Sequence, residues 1–286
     1  MRRSKEDEMI LSYKDVVLRQ LDLDILNGHF CLNDRIIEFY FSYLSSTYTS
    51  PDILLVPPAI SFYISNCSDS ESLNSFIEPL KLPDKKIVIF TINDNEDFSE
   101  VGGLHWSLLA FSRSMNAFVH HDTAGGLNRK HAKKLYNAVK GFVAVCDSVP
   151  TSSKKRENKK AGCPTPVPDF IECSTTPQQQ NGYDCGLYVM AIAKVICDWY
   201  ENGSKDENWF LSMEKQVNSS IERTMRGEIL KLIEDLQIRE HDHQLLNPLV
   251  EKMDVKKSPW YELSLSHIMP WTPNYSCLLC AVVMWC

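Results

Sequence analysis

Apolar positions recur along this chain with two periods, and the period changes from segment to segment. Residues 12–26 ("SYKDVVLRQLDLDIL") and 32–48 ("LNDRIIEFYFSYLSSTY") carry apolar side chains at helical spacing, with Asn33 or Asp34 as the N-cap of the second. Residues 85–94 ("KKIVIFTIND") form a short β-branched run, which predicts a buried strand. Two more strands follow, "HWSLLAFS" and "NAFVHHDT", joined by "RSMN", the length of a hairpin turn. Residues 129–143 predict an amphipathic helix, and "DFIECST" another strand. From Cys185 to Tyr200 the chain is apolar on nearly every helical face, which predicts a central, buried helix. Residues 209–240 predict one or two further amphipathic helices, and beyond Glu240 no clear period remains. Helices and antiparallel-style strands in blocks predict an α+β fold rather than a doubly wound sheet.

Composition narrows the class. The 286 residues carry a net charge of −7, against the basic balance of a general nucleic-acid binder. No apolar run reaches the ~20 residues that span a bilayer. The basic residues of "MRRSKEDEMILSY" have no apolar stretch behind them, so no signal peptide is expected. The ten cysteines show no framework spacing and are expected to be reduced thiols in the cytoplasm and/or nucleus. "CLLC" is a lone C-x-x-C without a second pair, so no metal is expected. Residues 148–169, rich in Ser, Lys and Pro, read as a disordered surface insertion, whose basic run is a solvated loop or an import signal.

The chemistry concentrates around "QQQNGYDCGLYV". A thiolate is the reactive form of cysteine, and a free thiol has a pKa of about 8.5. A helix N-terminus and a neighbouring imidazolium both lower it. The buried helix starts at Cys185, and Gly186 lets its first turn pack closely. Of eight histidines, His105 stands out, at the start of a strand behind two glycines in "GGLHWSLL". Asp122 ends the next strand. If the two strands form a hairpin, His105 and Asp122 lie side by side at one end of the sheet, as an orienting carboxylate requires. Acyl transfer also needs donors for an oxyanion. The Cys185 N–H is one candidate, and a side-chain amide among the three upstream glutamines is another. A structural cysteine beside ordinary strand histidines is the plainer reading of the same residues, and spacing alone leaves both open.

"GGLHWSLL", "HHDT" and "QQQNGYDCGLYV", in that order, resemble the ubiquitin-like-protein proteases, the sentrin/SUMO-specific family. "LNDRII" matches a further family segment, and the resemblance runs from about Leu11 to about Glu240. It implies a papain-like cysteine-protease fold: a central mixed sheet flanked by helices, with the nucleophile at the N-terminus of the buried helix. It implies a catalytic domain over residues 1–240 and a C-terminal extension of unknown role over 241–286. Within the family, "ILSYKDVVLRQLDLDIL" and "FIEPLKLPDKKIVIFTINDN" look like the deneddylase branch. Carried over, the resemblance makes Cys185 the nucleophile, His105 the base, Asp122 its orienting partner and Gln179 the oxyanion amide. It makes Trp106 the cover over the substrate's diglycine. It places Asp34 and the loop from Asn93 to Gly103 against the modifier. The family's W-L-N-D reads "CLND" within "FCLND" in this chain, so Cys31 stands where the family has a channel-forming tryptophan, and either Phe30 substitutes for it or the channel is looser.

The implied reaction is cleavage after the C-terminal diglycine of a ubiquitin-like modifier, without cofactor or metal. The implied partner is Nedd and its conjugates, such as cullins, with the chain a monomer and neither nucleic acid nor membrane involved. Glu96, Asp97 and Glu100 make the Asn93–Gly103 loop acidic, so SUMO or mixed specificity is the first alternative. A non-catalytic binding module for such modifiers is the second.

Overall fold

The computed structural model describes residues 5–99, 102–143, 166–203 and 208–252, with side chains described to residue 242. The chain divides into two compact units, Met1–Ile233 and Glu234–Cys286. The first holds a five-stranded mixed sheet of β3 (Ile53–Leu55), β4 (Ile87–Asn93), β5 (Trp106–Ser112), β6 (Ala117–His121) and β7 (Asp169–Glu172), in that spatial order. β4, β5 and β6 are antiparallel neighbours, while β3 and β7 join the edges in parallel.

Every residue of β5 and β6 is buried, as the continuous apolar runs require of strands covered on both faces. Leu109, Phe111 and Phe118 meet Ala132, Leu135 and Val139 of α5 (Arg129–Val139) on one face, together with Ile64 of α3 (Pro58–Asn66). Leu108 and Ala110 alternate to the other face, where α6 (Cys185–Asn202) packs on β5. The sequence places α6 there because twelve of its side chains or backbone positions, from Cys185 to Cys197, are buried.

The first pattern-based helix is corrected. Residues 12–26 are not one helix but the end of a hairpin, β1 (Met9–Tyr13) and β2 (Val16–Arg19), followed by α1 (Gln20–Asn27). Lys14 turns the chain at φ 51°, and Val16 and Leu18 bury alternate positions, a period of two. The second helix stands as α2 (Asp34–Thr47), capped by Asn33, whose side chain accepts from the Ile36 N–H at 3.0 Å. β3, α3 and α4 (Ser70–Ile77) were not evident in the periodicity. Trp209 opens the two C-terminal helices, α7 (Phe210–Gln216) and α8 (Ile221–Lys252). α8 runs past Glu240, where the apolar period fades. The insertion at 148–169 lies outside the described residues up to 165, and the chain beyond 252 lies outside them as well.

The paired histidines of β6 are structural. His120 bonds Ser107 Oγ at 2.9 Å and Glu172 Oε1 at 2.6 Å, across the sheet. His121 accepts from the Trp209 indole at 3.0 Å and meets Thr176 Oγ1 at 3.1 Å. Burial pushes its pKa down to about 3, so it stays neutral and ties α7 to the sheet.

Candidate active site

Cys185 is the first residue of α6, so its N–H has no acceptor within the helix. The loop before it is pre-folded. Asn181 Oδ1 accepts from the Tyr183 and Asp184 N–H groups, both at 3.0 Å, and Asn181 Nδ2 donates to Asp184 Oδ2 at 2.8 Å. Asp184 is buried and receives Arg226 of α8 at 3.0 Å (Nε) and 2.7 Å (Nη2). Arg226 also donates to the carbonyls of Ile25 at 2.8 Å and Phe30 at 2.7 Å. One guanidinium therefore joins the nucleophile loop to the segment leading into Leu32. Leu32 lies against Gly186: a Cβ there would approach Leu32 Cβ to 3.0 Å, so the glycine permits this contact.

His105 sits just before β5, with its backbone held on both sides. Asp94 Oδ1 accepts from the Leu104 N–H at 2.7 Å and the His105 N–H at 3.1 Å. Asn128 Nδ2 donates to the His105 carbonyl at 3.0 Å. Gly103, at φ +95°, makes the approach to the strand; a Cβ there would overlap the Asn93 amide. The imidazole Nε2 meets Asp122 Oδ1 at 2.7 Å, leaving Nδ1 as the ring nitrogen for the thiol. Asp122 Oδ1 also accepts from the Ala124 N–H at 2.9 Å, and Oδ2 from the Asn128 N–H at 2.8 Å.

These contacts set the charges. Burial opposes a charged His105, but the hydrogen bonds and charges of Asp122 and Cys185 outweigh it and raise its pKa to about 9. Burial likewise opposes the Asp122 carboxylate, and the bonds from His105, Ala124 and Asn128 overcome it and hold its pKa below the usual range. The Trp106 N–H points at Cys185 Sγ, 3.4 Å away. The positive end of the α6 dipole faces the same sulfur, which sits at the helix N-terminus.

The structure thus gathers His105, Asp122, Cys185 and Trp106. The Trp106 indole donates to the Leu32 carbonyl at 2.8 Å. Gln179 lies on the adjoining loop, its Oε1 accepting from Thr123 Oγ1 at 2.7 Å and its Nε2 donating to the Asn181 carbonyl at 2.7 Å. Gln178 is engaged elsewhere, donating to the Asp122 and Thr176 carbonyls at 3.0 and 2.9 Å. Cys31 Sγ is 3.9 Å from the Gly182 carbonyl, and its pKa is raised by burial first and by Cys185 second. Phe30 remains 60 % exposed with its ring against Gly28, and Cys31 is half-buried between it and the buried Leu32. Asn93 pairs with Trp106 across β4 and β5, whereas Asp34 is exposed at the start of α2. In the loop after Asn93, Glu96 meets Lys130 and His131, both at 3.2 Å, and Asp97 accepts from the Ser99 N–H and hydroxyl, both at 2.7 Å. Lys130 of α5 therefore offsets the Glu96 charge, while the neutral Ser99 groups hydrogen-bond Asp97 without cancelling its charge. Glu100 lies outside the described residues.

Sequence reasoning missed Asn128, Thr123, Asp94 and Arg226. Asn128 had one visible signal, its place just before an amphipathic helix. Arg226 had none. Among the described residues, no group of three or more His, Cys, Asp or Glu converges as a metal site.

Comparison with known proteins fits this geometry. Residues 31–229 match the Ulp1 protease family, C-terminal catalytic domain. NEDD8-specific protease 1 of Arabidopsis thaliana is 45% identical over 240 residues, 82% of this chain and 97% of that protein. Sentrin-specific protease 8 of Homo sapiens is 34% identical over 194 residues, 67% of this chain and 82% of that protein. The crystal structure of a de-sumoylating protease shares the fold at a TM-score of 0.54, with 15% identity, covering 85% of this chain and 96% of that one. A family match over most of the chain, with relatives aligned over two thirds of it or more, carries one conclusion: the chain belongs to the Ulp1 protease family and is a cysteine-type peptidase.

Proposed function

We propose that this protein is a deneddylase, cleaving after the C-terminal glycine of NEDD8 in conjugates or precursors. The observation that carries the chemistry is the 2.7 Å bond from Asp122 to His105, whose ring adjoins Cys185 at the first turn of α6. The choice of modifier is supported by the names of relatives at 45% and 34% identity.

The extended C-terminus of the modifier passes between the face of the Trp106 ring and the Cys31 side chain, with the Trp106 indole N–H staying on the Leu32 carbonyl. Glycines suit that passage because a side chain there would meet both walls. His105 Nδ1 takes the Cys185 proton, and the thiolate attacks the glycine carbonyl carbon. The oxyanion is received by the Cys185 N–H and by Gln179 Nε2, donors set before the reaction begins. His105 returns its proton to the leaving nitrogen as the C–N bond breaks, leaving a thioester. Water, deprotonated by His105, attacks the thioester and releases the modifier with a free carboxylate. Asp122 holds the ring throughout and offsets the imidazolium charge.

The test is a cleavage panel of NEDD8, SUMO and ubiquitin fused to a fluorophore, alongside a diglycine-based covalent probe. NEDD8 turnover at least about tenfold above SUMO, with a probe adduct at Cys185 that Cys185→Ala abolishes, is expected; tenfold corresponds to ~1.4 kcal/mol of discrimination. Preferential SUMO turnover would overturn the choice of modifier. Modifier binding without an adduct would replace the enzyme with a binding module.

A further inference from the structure

The carboxamide of Gln179 is held at both ends. Its Nε2 donates to the Asn181 carbonyl at 2.7 Å, and a carbonyl can only accept. That end is therefore the nitrogen, the other end is Oε1, and the Thr123 hydroxyl 2.7 Å from it must be the donor. Thr123 grips the same residue a second time, its carbonyl accepting from the Gln179 N–H at 2.9 Å. Thr123 is only 3% exposed, so solvent has little access to replace this bond. With one Nε2 hydrogen on Asn181, the second has no partner among the described residues.

We propose that Thr123 is a positioning residue for the oxyanion amide: its hydroxyl locks the Gln179 carboxamide so that the second Nε2 hydrogen is presented to the reacting carbonyl. This rests on the assignment of Gln179 given above. Glutamine has three rotatable side-chain bonds, and an unpinned amide spends its time among many orientations. Pinning both ends removes that freedom before substrate arrives, which is what a preorganised oxyanion donor requires. The location of Thr123 adds a consequence. It follows Asp122 directly, and Gln178 binds the same turn through the Asp122 carbonyl at 3.0 Å and the Gly125 N–H at 2.8 Å. The carboxylate that orients the imidazole and the amide that receives the oxyanion therefore hang on one laced frame.

The test compares Thr123→Val, Thr123→Ala and Thr123→Ser with Gln179→Ala and the Thr123→Val/Gln179→Ala pair, on a NEDD8–fluorophore fusion, with folding checked by thermal melting. Losing an oxyanion donor outright costs about 10²–10³ in kcat, and mis-orienting it costs less. Thr123→Val and Thr123→Ala are expected to lower kcat about 10–100-fold with KM within about twofold. Thr123→Ser, which keeps the donor, restores most of the rate. On the Gln179→Ala background, Thr123→Val should add no more than about twofold, since the two act as one unit. The alkaline limb of the rate profile should stay in place, because the Asp122–His105 bond is untouched. A rate within about twofold of the parent for Thr123→Ala, while Gln179→Ala falls, would overturn the proposal and leave Gln179 standing. So would a full loss on the Gln179→Ala background, or a shifted alkaline limb, either of which would mean that Thr123 acts through Asp122. An unchanged kcat in Gln179→Ala would instead remove the assignment of Gln179 itself.

Discussion

Asp122→Asn separates charge from shape at the centre of the site. The carboxylate accepts three hydrogen bonds: His105 Nε2 at 2.7 Å and the Ala124 N–H at 2.9 Å on Oδ1, and the Asn128 N–H at 2.8 Å on Oδ2. An amide keeps the two bonds on Oδ1 only by turning its NH2 toward the Asn128 N–H. One buried donor then faces another, at about 1–3 kcal/mol. The second loss is electrostatic. The rise of His105 from 6.5 to about 9 corresponds to about 3 kcal/mol in full. Cys185 supplies part of that rise and the ring keeps some solvent contact, so ~1–2 kcal/mol of it is expected as stability from Asp122. A folded pKa above the unfolded one stabilises fully below about pH 6.5, and that contribution is lost as pH rises through about 9. The variant should therefore lose about 2–5 kcal/mol at pH 6 and only about 1–3 kcal/mol at pH 10, measured by urea denaturation. In the parent the alkaline limb of kcat/KM should lie near pH 9, and in the variant it should move toward 6.5. Equal penalties at both pH values, or an unmoved alkaline limb, would refute the reasoning.

Two further substitutions probe the frame around the site. Arg226→Met strips Asp184, which is 1% exposed, of its guanidinium and frees the Ile25 and Phe30 carbonyls. It should cost about 3–5 kcal/mol by chemical denaturation, and a loss under about 1 kcal/mol would show that the pair is not energetically buried. Gly103→Ala and Gly125→Ala share a positive φ, +95° and +68°, but only the first would drive a Cβ into the Asn93 side chain, while the second meets nothing within 4 Å. Gly125→Ala should cost about 1–2 kcal/mol of backbone strain, and Gly103→Ala more than that, with lower activity because His105 follows two residues on. Equal melting temperatures for the two variants would refute the steric part.

What the sequence makes visible is residue type and local period; what it hides is which distant groups meet. α6 was legible because twelve buried positions in one helix leave no polar face, and Cys185 was legible because it stands where that helix begins. The His105–Asp122 pairing was legible for a topological reason: "RSMN" is short enough to force a hairpin, so a residue starting β5 must lie near one ending β6. The N-terminal hairpin was misread because Leu11, Val16 and Leu18 on its strands run directly into Leu26 of α1, and one helical period nearly accommodates them all. The turn that breaks the pattern is Lys14–Asp15, where the residue at positive φ is a lysine and Asp15 alone carries a turn signal.

The supporting residues follow a different rule. Asn128 reaches back 23 residues to His105, Thr123 reaches 56 to Gln179, and Arg226 reaches 201 to Ile25. Each is a common polar residue with no local anomaly, and each gains its role only when the sheet and α8 are in place. The reacting groups are recognisable from type because their chemistry admits few substitutes. Their holders are not, because any donor of suitable reach would serve, and the fold alone decides which one is near. The same distinction applies to Cys31. Its identity departs from the pattern the resemblance implies, yet the backbone on either side of it is held, with the Leu32 carbonyl on the Trp106 indole and the Phe30 carbonyl on Arg226. The backbone position of residues 30–32 is thus set by bonds to main-chain carbonyls in which the side chain at residue 31 takes no part.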